Sequence, residues 1–341
     1  MPAPLEVGTI LRSRYRIIEM VGEGGMGGVY RAEDLRLEGR QCAVKEIWLE
    51  MEPTDSARSQ AHEQFYREAS ILARLDHPNL PKVSDYFTEG EREFLVMDFV
   101  PGRDLKDLMD EARREGKTLP EKQVLSWAAQ LCDALNHLHS QDPPVLHRDI
   151  KPANIKLTPG GTIKLVDFGL VKLMVPDDAT TITIVQGRGT VQYTPLEQYG
   201  GDTGHTDARS DIYSLGATLY HLLTNQPPLD AKQRFLRPRA LASPRKLNPS
   251  LSLRTDRAVL HALAMHPEQR PASVAQLRSE LLGSAPLPPL NATTGLNQTV
   301  PADRSLAAAL RDNGILVGLA LGLLLVALLI TFWIAPTVPL S

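Results

Sequence analysis

The chain has few cysteines, and its charge is nearly balanced. Cys42 and Cys132 are the only two in 341 residues, too few for a disulfide framework or for a metal site of their own. We expect both to be small buried hydrophobic residues in a reducing compartment. The net charge of −3 indicates no general affinity for polyanions, which disfavours nucleic acid as a partner. The first twenty residues lack a long apolar run, so we expect no signal peptide.

Composition divides the rest of the chain into zones. Residues 1–282 alternate strand-like and helix-like patterns with short turns, and we assign 1–14 to an N-terminal segment and 15–282 to a folded domain. Residues 283–313 lose this periodicity and carry four prolines, which is typical of a flexible linker. A linker of this length has an r.m.s. reach of roughly 30 Å.

A long apolar run follows the linker. Residues 315–335 contain no charged side chain over 21 residues, which is long enough to cross a bilayer core. We predict a transmembrane helix at 314–335, and a buried core helix is the alternative. Arg304 and Arg311 precede the run and no charge follows it, so the positive-inside rule predicts a cytoplasmic N-terminal part. The expected protein crosses the cell membrane once and leaves a short tail, residues 336–341, outside.

Three motifs near the middle of the chain point to phosphoryl transfer. The sequence HRD at 147–149 is followed by Asn154 and then by DFG at 167–169. This chemistry needs a carboxylate that accepts a hydroxyl proton and two oxygen ligands that hold Mg²⁺ against the phosphates of ATP. We predict that Asp149 accepts the hydroxyl proton and that Asn154 and Asp167 bind Mg²⁺.

A glycine-rich segment precedes these motifs and fits a nucleotide. A lone GxGxxG is weak support, because dinucleotide folds also use it. Strand-like residues on both sides favour a β-hairpin lid, whose backbone N–H groups approach phosphates. Val29 would cover the adenine ring, and Lys45, at the end of the next strand, supplies a point charge for the phosphates. The predicted lid consists of Gly22, Glu23, Gly24, Gly25, Met26, Gly27, Gly28 and Val29.

Residues 11–282 resemble the eukaryotic-like serine/threonine protein kinases of bacteria. Lys151, two residues after Asp149, is typical of the serine/threonine type, and the segment GTVQYTPLEQ at 189–198 resembles one that seats a peptide. The resemblance implies an α+β fold with a small, mainly β lobe (about 15–98) that includes one helix, and a larger, mainly α lobe (about 101–282). It also implies ATP in the cleft, Mg²⁺ or Mn²⁺ as cofactor, and protein substrates with serine or threonine acceptors.

The resemblance assigns further site residues. Of the two glutamates on a predicted helix at 57–75, Glu68 would hold Lys45 in place. Met97 would be the gatekeeper, and the backbone from Asp98 to Val100 would hydrogen-bond adenine. Ala43, on the lysine strand, belongs to the same pocket. Lys151 would touch the transferring phosphate.

The resemblance also implies regulation and supporting contacts. Arg148, beside the catalytic aspartate, implies control by a phosphorylated loop. The expected phosphate sites of that loop are Thr180, Thr181 and Thr183, whereas Thr190 would bond to the catalytic residues. Asp211 would brace the catalytic loop from a helix. Glu197 and Arg270 would form a buried pair, which is more typical of a structural role than of a catalytic one.

Two positions depart from the family pattern. The family's Ala-Pro before Glu197 is Pro195-Leu196 here, so an inherited substrate preference is in doubt. Lys156 stands where an apolar side chain normally forms the floor of the adenine pocket. Its methylene stem can still pack there if the amine turns outward.

The remaining features leave alternatives open. Eight basic residues between 230 and 257 form either a solvated face or a docking surface for acidic partners or the anionic inner leaflet. Gly314, Gly318 and Gly322 share one helix face. This spacing would allow two transmembrane helices to pair in a homodimer, and the alternative is that glycine is simply frequent in membrane helices. A pseudokinase scaffold and a small-molecule kinase are the rival functions, although the motif residues are intact and the peptide-seating segment is present.

Overall fold

A computed structural model describes residues 3–24, 27–47, 55–90, 92–167, 191–199, 206–237 and 239–283. Contacts group Met1–Thr293 into one compact unit. The predicted linker and transmembrane helix at 314–335 lie outside the described residues. Within the described part, no helix is both long enough and apolar enough to span a membrane.

The small lobe is an antiparallel sheet of six strands with one helix against it. The sheet order is β1-β2-β3-β4-β6-β5. Alternate residues of β3 are fully buried, as expected for a strand with one face on a core. The strands are β1 (Ile10–Leu11), β2 (Tyr15–Gly24), β3 (Gly27–Asp34), β4 (Gln41–Ile47), β5 (Val83–Glu89) and β6 (Arg92–Asp98).

Helix α1 (Asp55–Arg74) joins β4 to β5 and packs on β5. Phe65, Ala69 and Leu72 are buried, and their spacing of four and three residues places them on one helix face. The predicted boundaries of 57–75 were right to within two residues. Glu68 lies between these buried residues and is itself only 8% exposed, so α1 directs it into the interior.

The large lobe is mainly helical. Helix α4 lies at its centre, where almost every residue is buried, and packs against α3 and α7. A small antiparallel sheet of β7, β8 and β9 follows the catalytic loop. The elements are β7 (Arg103–Asp104), α2 (Leu105–Arg114), α3 (Glu121–His139), β8 (Ile155–Leu157), β9 (Ile163–Leu165), α4 (Ala208–Thr224), α5 (Ala231–Leu236), α6 (Pro244–Leu247), α7 (Leu253–Ala262) and α8 (Val274–Leu282).

One hydrophobic core runs through both lobes. It includes Ile47 and Phe65 of the small lobe together with Leu105, Ile155 and Leu215 of the large lobe. A second, smaller core lies inside the small lobe and contains Tyr15 and other large side chains. The predicted α+β architecture with two lobes is therefore confirmed, and the catalytic motifs lie where the lobes meet.

Candidate active site

The catalytic loop connects α3 to β8, and hydrogen bonds to α4 fix its position. Arg148 has a φ of +65°, a conformation that side chains other than glycine adopt at a cost. The Asp211 carboxylate accepts the backbone N–H of His147 (2.9 Å) and of Arg148 (2.8 Å), so its two oxygens fix the two peptide bonds that lead into this strained residue. The prediction that Asp211 braces the loop is confirmed.

His139, at the end of α3, supports the Asp211 carboxylate. Its Nε2 lies 2.8 Å from Asp211 Oδ2. Full burial raises the pKa of Asp211, but the hydrogen bond from His139 and the charges of His139 and His147 outweigh it, so the net shift is downward. The sequence gives no signal for His139, because the contact joins positions 72 residues apart.

Asp149 has two oxygens in different environments. Oδ2 accepts hydrogen bonds from Lys151 Nζ (2.8 Å) and Asn154 Nδ2 (2.9 Å). The same Asn154 amide donates to the Asp149 carbonyl oxygen at 2.8 Å. Oδ1 is buried and has no hydrogen-bond partner among the described residues. The carboxylate is thus fixed through one oxygen and offers the other as an acceptor.

The two predicted metal ligands are close to each other. The Val166 amide donates to the Asn154 carbonyl oxygen at 2.8 Å, and Ile155 pairs with Leu165 between β8 and β9. This places Asn154 beside Asp167, the residue after Val166. Burial raises the Asp167 pKa, but the charge and hydrogen bond of Lys45 outweigh it, so the pKa is lowered.

The chemistry of this pair fits Mg²⁺. Asn154 donates through its amide nitrogen, which leaves its amide oxygen for a metal, and Asp167 supplies a carboxylate. Mg²⁺ is normally held by one or two protein oxygens, with phosphates and waters completing the octahedron. In the described part of the chain, no group of three or more His, Cys, Asp or Glu side chains could hold a metal ion.

Lys45 projects from β4 between its register partners Val29 on β3 and Leu95 on β6. Its Nζ contacts the Asp167 carboxylate, which links the small lobe to the large one. The charge of buried Glu68 acts on Arg148, raising its pKa against the larger lowering effect of burial. The pairing of Glu68 with Lys45 stays a prediction.

The predicted glycine-rich lid is a β-hairpin. β2 and β3 pair Gly22 with Val29, Glu23 with Gly28 and Gly24 with Gly27, whereas Gly25 and Met26 lie outside the described residues. Gly27 has a φ of +140°, and a Cβ there would clash with the Glu46 carbonyl oxygen of β4. Only glycine allows this close approach of the hairpin to the lysine strand.

The predicted adenine pocket involves two neighbouring inner strands of the sheet. Ala43 and Met97 are directly opposite each other on β4 and β6, and both are buried, as is Val100. The Asp98 amide donates to the Lys82 carbonyl oxygen at 2.9 Å. This amide is therefore already bonded, and the other backbone groups between Asp98 and Val100 are the candidates for bonding adenine.

Lys156 lies on β8, opposite Asp104 of β7 and Lys164 of β9. Its ammonium donates to the Gly102 carbonyl oxygen at 3.3 Å, just beyond the strand that carries Met97. The amine thus turns away from the interior, as the sequence allowed, and the methylene stem remains for the pocket floor.

The peptide-seating segment is fastened by a buried ion pair. Arg270 reaches Glu197 through two hydrogen bonds of 2.6 and 3.0 Å, and Ser210 donates to the same carboxylate at 2.8 Å. Burial raises the Glu197 pKa, but Arg270 and Ser210 lower it overall. Arg270 also donates to three backbone carbonyl oxygens, so its buried charge is fully hydrogen-bonded. The predicted structural pair is confirmed.

A second contact of this segment was missed from the sequence. The Tyr193 hydroxyl lies 2.6 Å from Nδ1 of His221 on α4. Burial lowers the pKa of His221 to about 4, which keeps the imidazole neutral in the physiological range. Ser214 Oγ also donates to the Tyr193 carbonyl oxygen at 2.8 Å. The loop threonines Thr180, Thr181, Thr183 and Thr190 lie outside the described residues.

Comparison with known proteins agrees with this geometry. The protein kinase domain family matches residues 15–281. Serine/threonine-protein kinase PknB of Mycobacterium leprae is 34% identical over 80% of this chain and 43% of its own length. PknB of Mycobacterium tuberculosis is 35% identical over 80% of this chain and also 43% of its own length. The chain therefore spans a little under half of these curated relatives.

Solved structures are also similar to this chain over most of its length. The Mycobacterium tuberculosis PknI kinase domain is 28% identical, with a TM-score of 0.62, over 82% of this chain and 100% of that one. The structure described as the PpkA-294 apo form is 28% identical, with a TM-score of 0.67, over 81% of this chain and 99% of that one. This chain belongs to the protein kinase family.

Replacing the bracing carboxylate should damage both the fold and the activity. In Asp211→Asn, the amide presents an NH₂ to a backbone N–H that previously had an acceptor. We expect a loss of about 2–4 kcal/mol in the free energy of unfolding by urea and a phosphotransfer rate at least about tenfold lower.

Asp207→Asn is the matched control on the same helix, because asparagine caps a helix as well as aspartate does. Its expected cost is less than about 1 kcal/mol. Equal effects of the two substitutions would contradict the bracing role of Asp211.

Replacing the polar floor residue should improve nucleotide binding. In Lys156→Leu, an apolar side chain fills the pocket floor, and its stem no longer has to be held with an ammonium turned outward when adenine packs on it. We expect the KM for ATP to fall about two- to threefold with kcat unchanged. Lys164→Leu is the control, since its ammonium donates to the Leu80 carbonyl oxygen instead. An unchanged KM in Lys156→Leu would show that the position is neutral.

Proposed function

We propose that this protein is a serine/threonine protein kinase that transfers the γ-phosphate of ATP to hydroxyl groups of proteins. The observation that carries the proposal is the environment of Asp149. One oxygen is fixed by Lys151 and Asn154, and the other is buried and has no partner among the described residues. A carboxylate in this arrangement is suited to receive a proton from an acceptor hydroxyl.

The described residues divide the work of the reaction. The hydroxyl oxygen forms a bond to the γ-phosphorus, the bond from that phosphorus to the bridging oxygen of ADP breaks, and the hydroxyl proton passes to Asp149 Oδ1. Lys151, bonded to Asp149 Oδ2, offers a positive charge beside the transferring group. Asn154 and Asp167 would hold Mg²⁺, which when bound neutralises charge on the phosphates.

Several features support a protein substrate with serine or threonine acceptors. Lys151 is typical of this class, and the segment at 191–199 is fixed to the large lobe through Glu197 and Arg270. The curated relatives are called serine/threonine-protein kinases. A peptide laid along this segment would approach Asp149 from the large-lobe side of the cleft.

We further propose that the kinase phosphorylates its own activation loop. Arg148 adjoins the catalytic aspartate, and burial lowers its pKa while the charges of Asp211 and Glu68 raise it. A phosphate on Thr180, Thr181 or Thr183 would bring a dianion to this arginine. The ion pair would offset part of the free-energy cost of burying the guanidinium. Such pairing would order the loop only after phosphorylation.

The sequence also supports a membrane tether. The uncharged run at 315–335, preceded by Arg304 and Arg311, would cross the bilayer once with the kinase domain in the cytoplasm. Gly314, Gly318 and Gly322 on one helix face would allow two spans to pair, which would bring two kinase domains together. The protein would then act in signalling at the membrane surface.

Autophosphorylation tests the enzymatic proposal. The full chain, incubated with ATP and Mg²⁺, should gain phosphate on Thr180, Thr181 or Thr183, mapped by mass spectrometry. Asp149→Asn should bind ATP normally but react about 10²–10⁴-fold more slowly, because it lacks the proton acceptor. Phosphate-free protein despite normal ATP binding would indicate a scaffold instead. Transfer to small molecules alone would indicate the other rival.

Fractionation tests the tether separately. The full chain should stay in the membrane fraction after washes with high salt and with carbonate, because about twenty apolar residues hold it in the bilayer. Deletion of 314–335 should move it to the soluble fraction. A full chain that is soluble from the start would refute the tether and leave the kinase proposal untouched.

A further inference from the structure

One exposed stretch of the chain combines apolar and basic side chains. Phe235 and Leu236, at the end of α5, are 58% and 79% exposed, unusually high for large apolar residues. Exposed cations surround them along the chain. We call these seven residues the α5 face, and they are Lys232, Phe235, Leu236, Arg237, Arg239, Arg245 and Lys246.

The opposite side of α5 is fixed in the domain. Ala231 is completely buried, and Arg234 is 5% exposed. The Arg234 guanidinium donates to the Tyr213 hydroxyl at 3.0 Å and to the Leu263 carbonyl oxygen at 2.7 Å. Arg234 is therefore an internal anchor and not a surface charge, although the sequence grouped it with the basic stretch. These bonds set the orientation that points Phe235 and Leu236 outward.

The nearby carboxylates bond backbone amides and not the cations of this face. Asp230 Oδ1 accepts the Gln233 amide at 2.8 Å, and buried Asp256 accepts the Arg245 amide at 2.8 Å. None of the five cations of the α5 face forms an ion pair with a residue that the structure describes. Lys232 instead lies over the Tyr199 ring, 4.3 Å from its centroid.

Some surface cations in the same lobe are paired. Arg103 bonds Glu111 at 2.6 Å, and Lys106 bonds Asp110 at 2.9 Å, both on or beside α2. The α5 face combines two properties. It exposes an aromatic and an aliphatic side chain together, and its cations form no ion pair with the residues that the structure describes.

We propose that the α5 face docks on the anionic leaflet of the membrane, with Phe235 and Leu236 inserted at the headgroup level. Aromatic and aliphatic side chains partition into the interfacial region, and unpaired lysines and arginines are attracted to anionic lipids. This inference rests on the proposed tether, which supplies the bilayer. It adds an orientation, because a tether alone leaves the domain free to rotate.

Successive helix contacts connect α6 to the end of the described domain. Helix α6, which carries Arg245 and Lys246, packs on α7, and α7 packs on α8. Arg254 of α7 donates to the Glu280 carbonyl oxygen, three residues before the helix ends at Gly283. A linker with a reach of roughly 30 Å keeps a domain of roughly 50 Å diameter close to the bilayer. Local concentration then allows weak docking to be effective.

A second copy of the chain is a poorer occupant. A two-fold contact through this face would bring its five cations against the same five cations, and such like charges repel. An acidic protein would satisfy the cations, but a lipid surface satisfies the cations and the exposed apolar pair together. The membrane is therefore the occupant that the whole face fits.

Vesicle binding by residues 1–283 tests the proposal without the span. This piece contains both hydrophobic cores, and solved kinase domains of the same extent match it over their full length, so it folds on its own. We expect it to float with vesicles of phosphatidylcholine and phosphatidylserine at low salt. Pure phosphatidylcholine vesicles should not carry it.

The first variant removes three cations, Arg237→Gln, Arg239→Gln and Lys246→Gln. Each cation near an anionic surface is worth about fivefold in binding, so partition should fall at least about tenfold. The matched control removes three exposed cations elsewhere, Arg36→Gln, Arg114→Gln and Lys122→Gln, and should lose less than about threefold. Equal losses would show nonspecific attraction and overturn the proposal.

The second variant, Phe235→Ser with Leu236→Ser, tests insertion. The wild type should keep part of its binding at 0.5 M salt, roughly the range where surface charges are screened, and this variant should lose that part. Peptide phosphorylation in solution should be equal in wild type and all variants, because the α5 face holds none of the catalytic residues. A concentration-dependent dimer that the triple variant abolishes, with no flotation, would assign the face to a second copy and overturn the proposal.

The outcomes separate docking from tethering. Flotation of residues 1–283 alongside a soluble full chain would keep the docking surface and reject the span. If the full chain is membrane-bound but residues 1–283 do not float with anionic vesicles, the transmembrane span is retained and the docking proposal is overturned.

Discussion

The active site depends on one buried carboxylate. Asp211 accepts the backbone N–H groups of His147 and Arg148, which lead into the strained φ of Arg148, and His139 supports it from α3. Strained backbone persists only where its surroundings determine it strongly. Thr218, also on α4, donates to the Ile150 carbonyl oxygen at 3.2 Å and holds the next part of the loop. Helix α4 thereby fixes the residues on both sides of Asp149, and through Asn154 and β8 the position of Asp167.

This support gives the two oxygens of Asp149 different tasks. Lys151 and Asn154 hold Oδ2, and Oδ1 remains an acceptor inside the cleft. A fixed acceptor avoids the cost of reorganisation during proton transfer, which is how enzymes gain most from preorganised polar groups. The contact of Lys45 with Asp167 joins the lobes across the same space.

Some of this could be predicted from the sequence, and the physical reasons differ. Asp149, Asn154 and Asp167 are recognisable because one short loop and one hairpin fix their spacing. The helix with Glu68 is recognisable from its apolar period. His139 and the burial of Arg234 could not be predicted, because both depend on contacts between distant segments. The contact of Lys45 with Asp167 was also not predicted, because it joins positions 122 residues apart.

The most direct test is a crystal structure of residues 1–283 with a non-hydrolysable ATP analogue, Mg²⁺ and a peptide bearing a threonine. The account predicts that the threonine hydroxyl lies within hydrogen-bonding distance of Asp149 Oδ1, while Oδ2 keeps Lys151 and the metal is bound by Asn154 and Asp167. A metal bound to Asp149, or a hydroxyl bonded to another side chain, would contradict the division of tasks between the two oxygens.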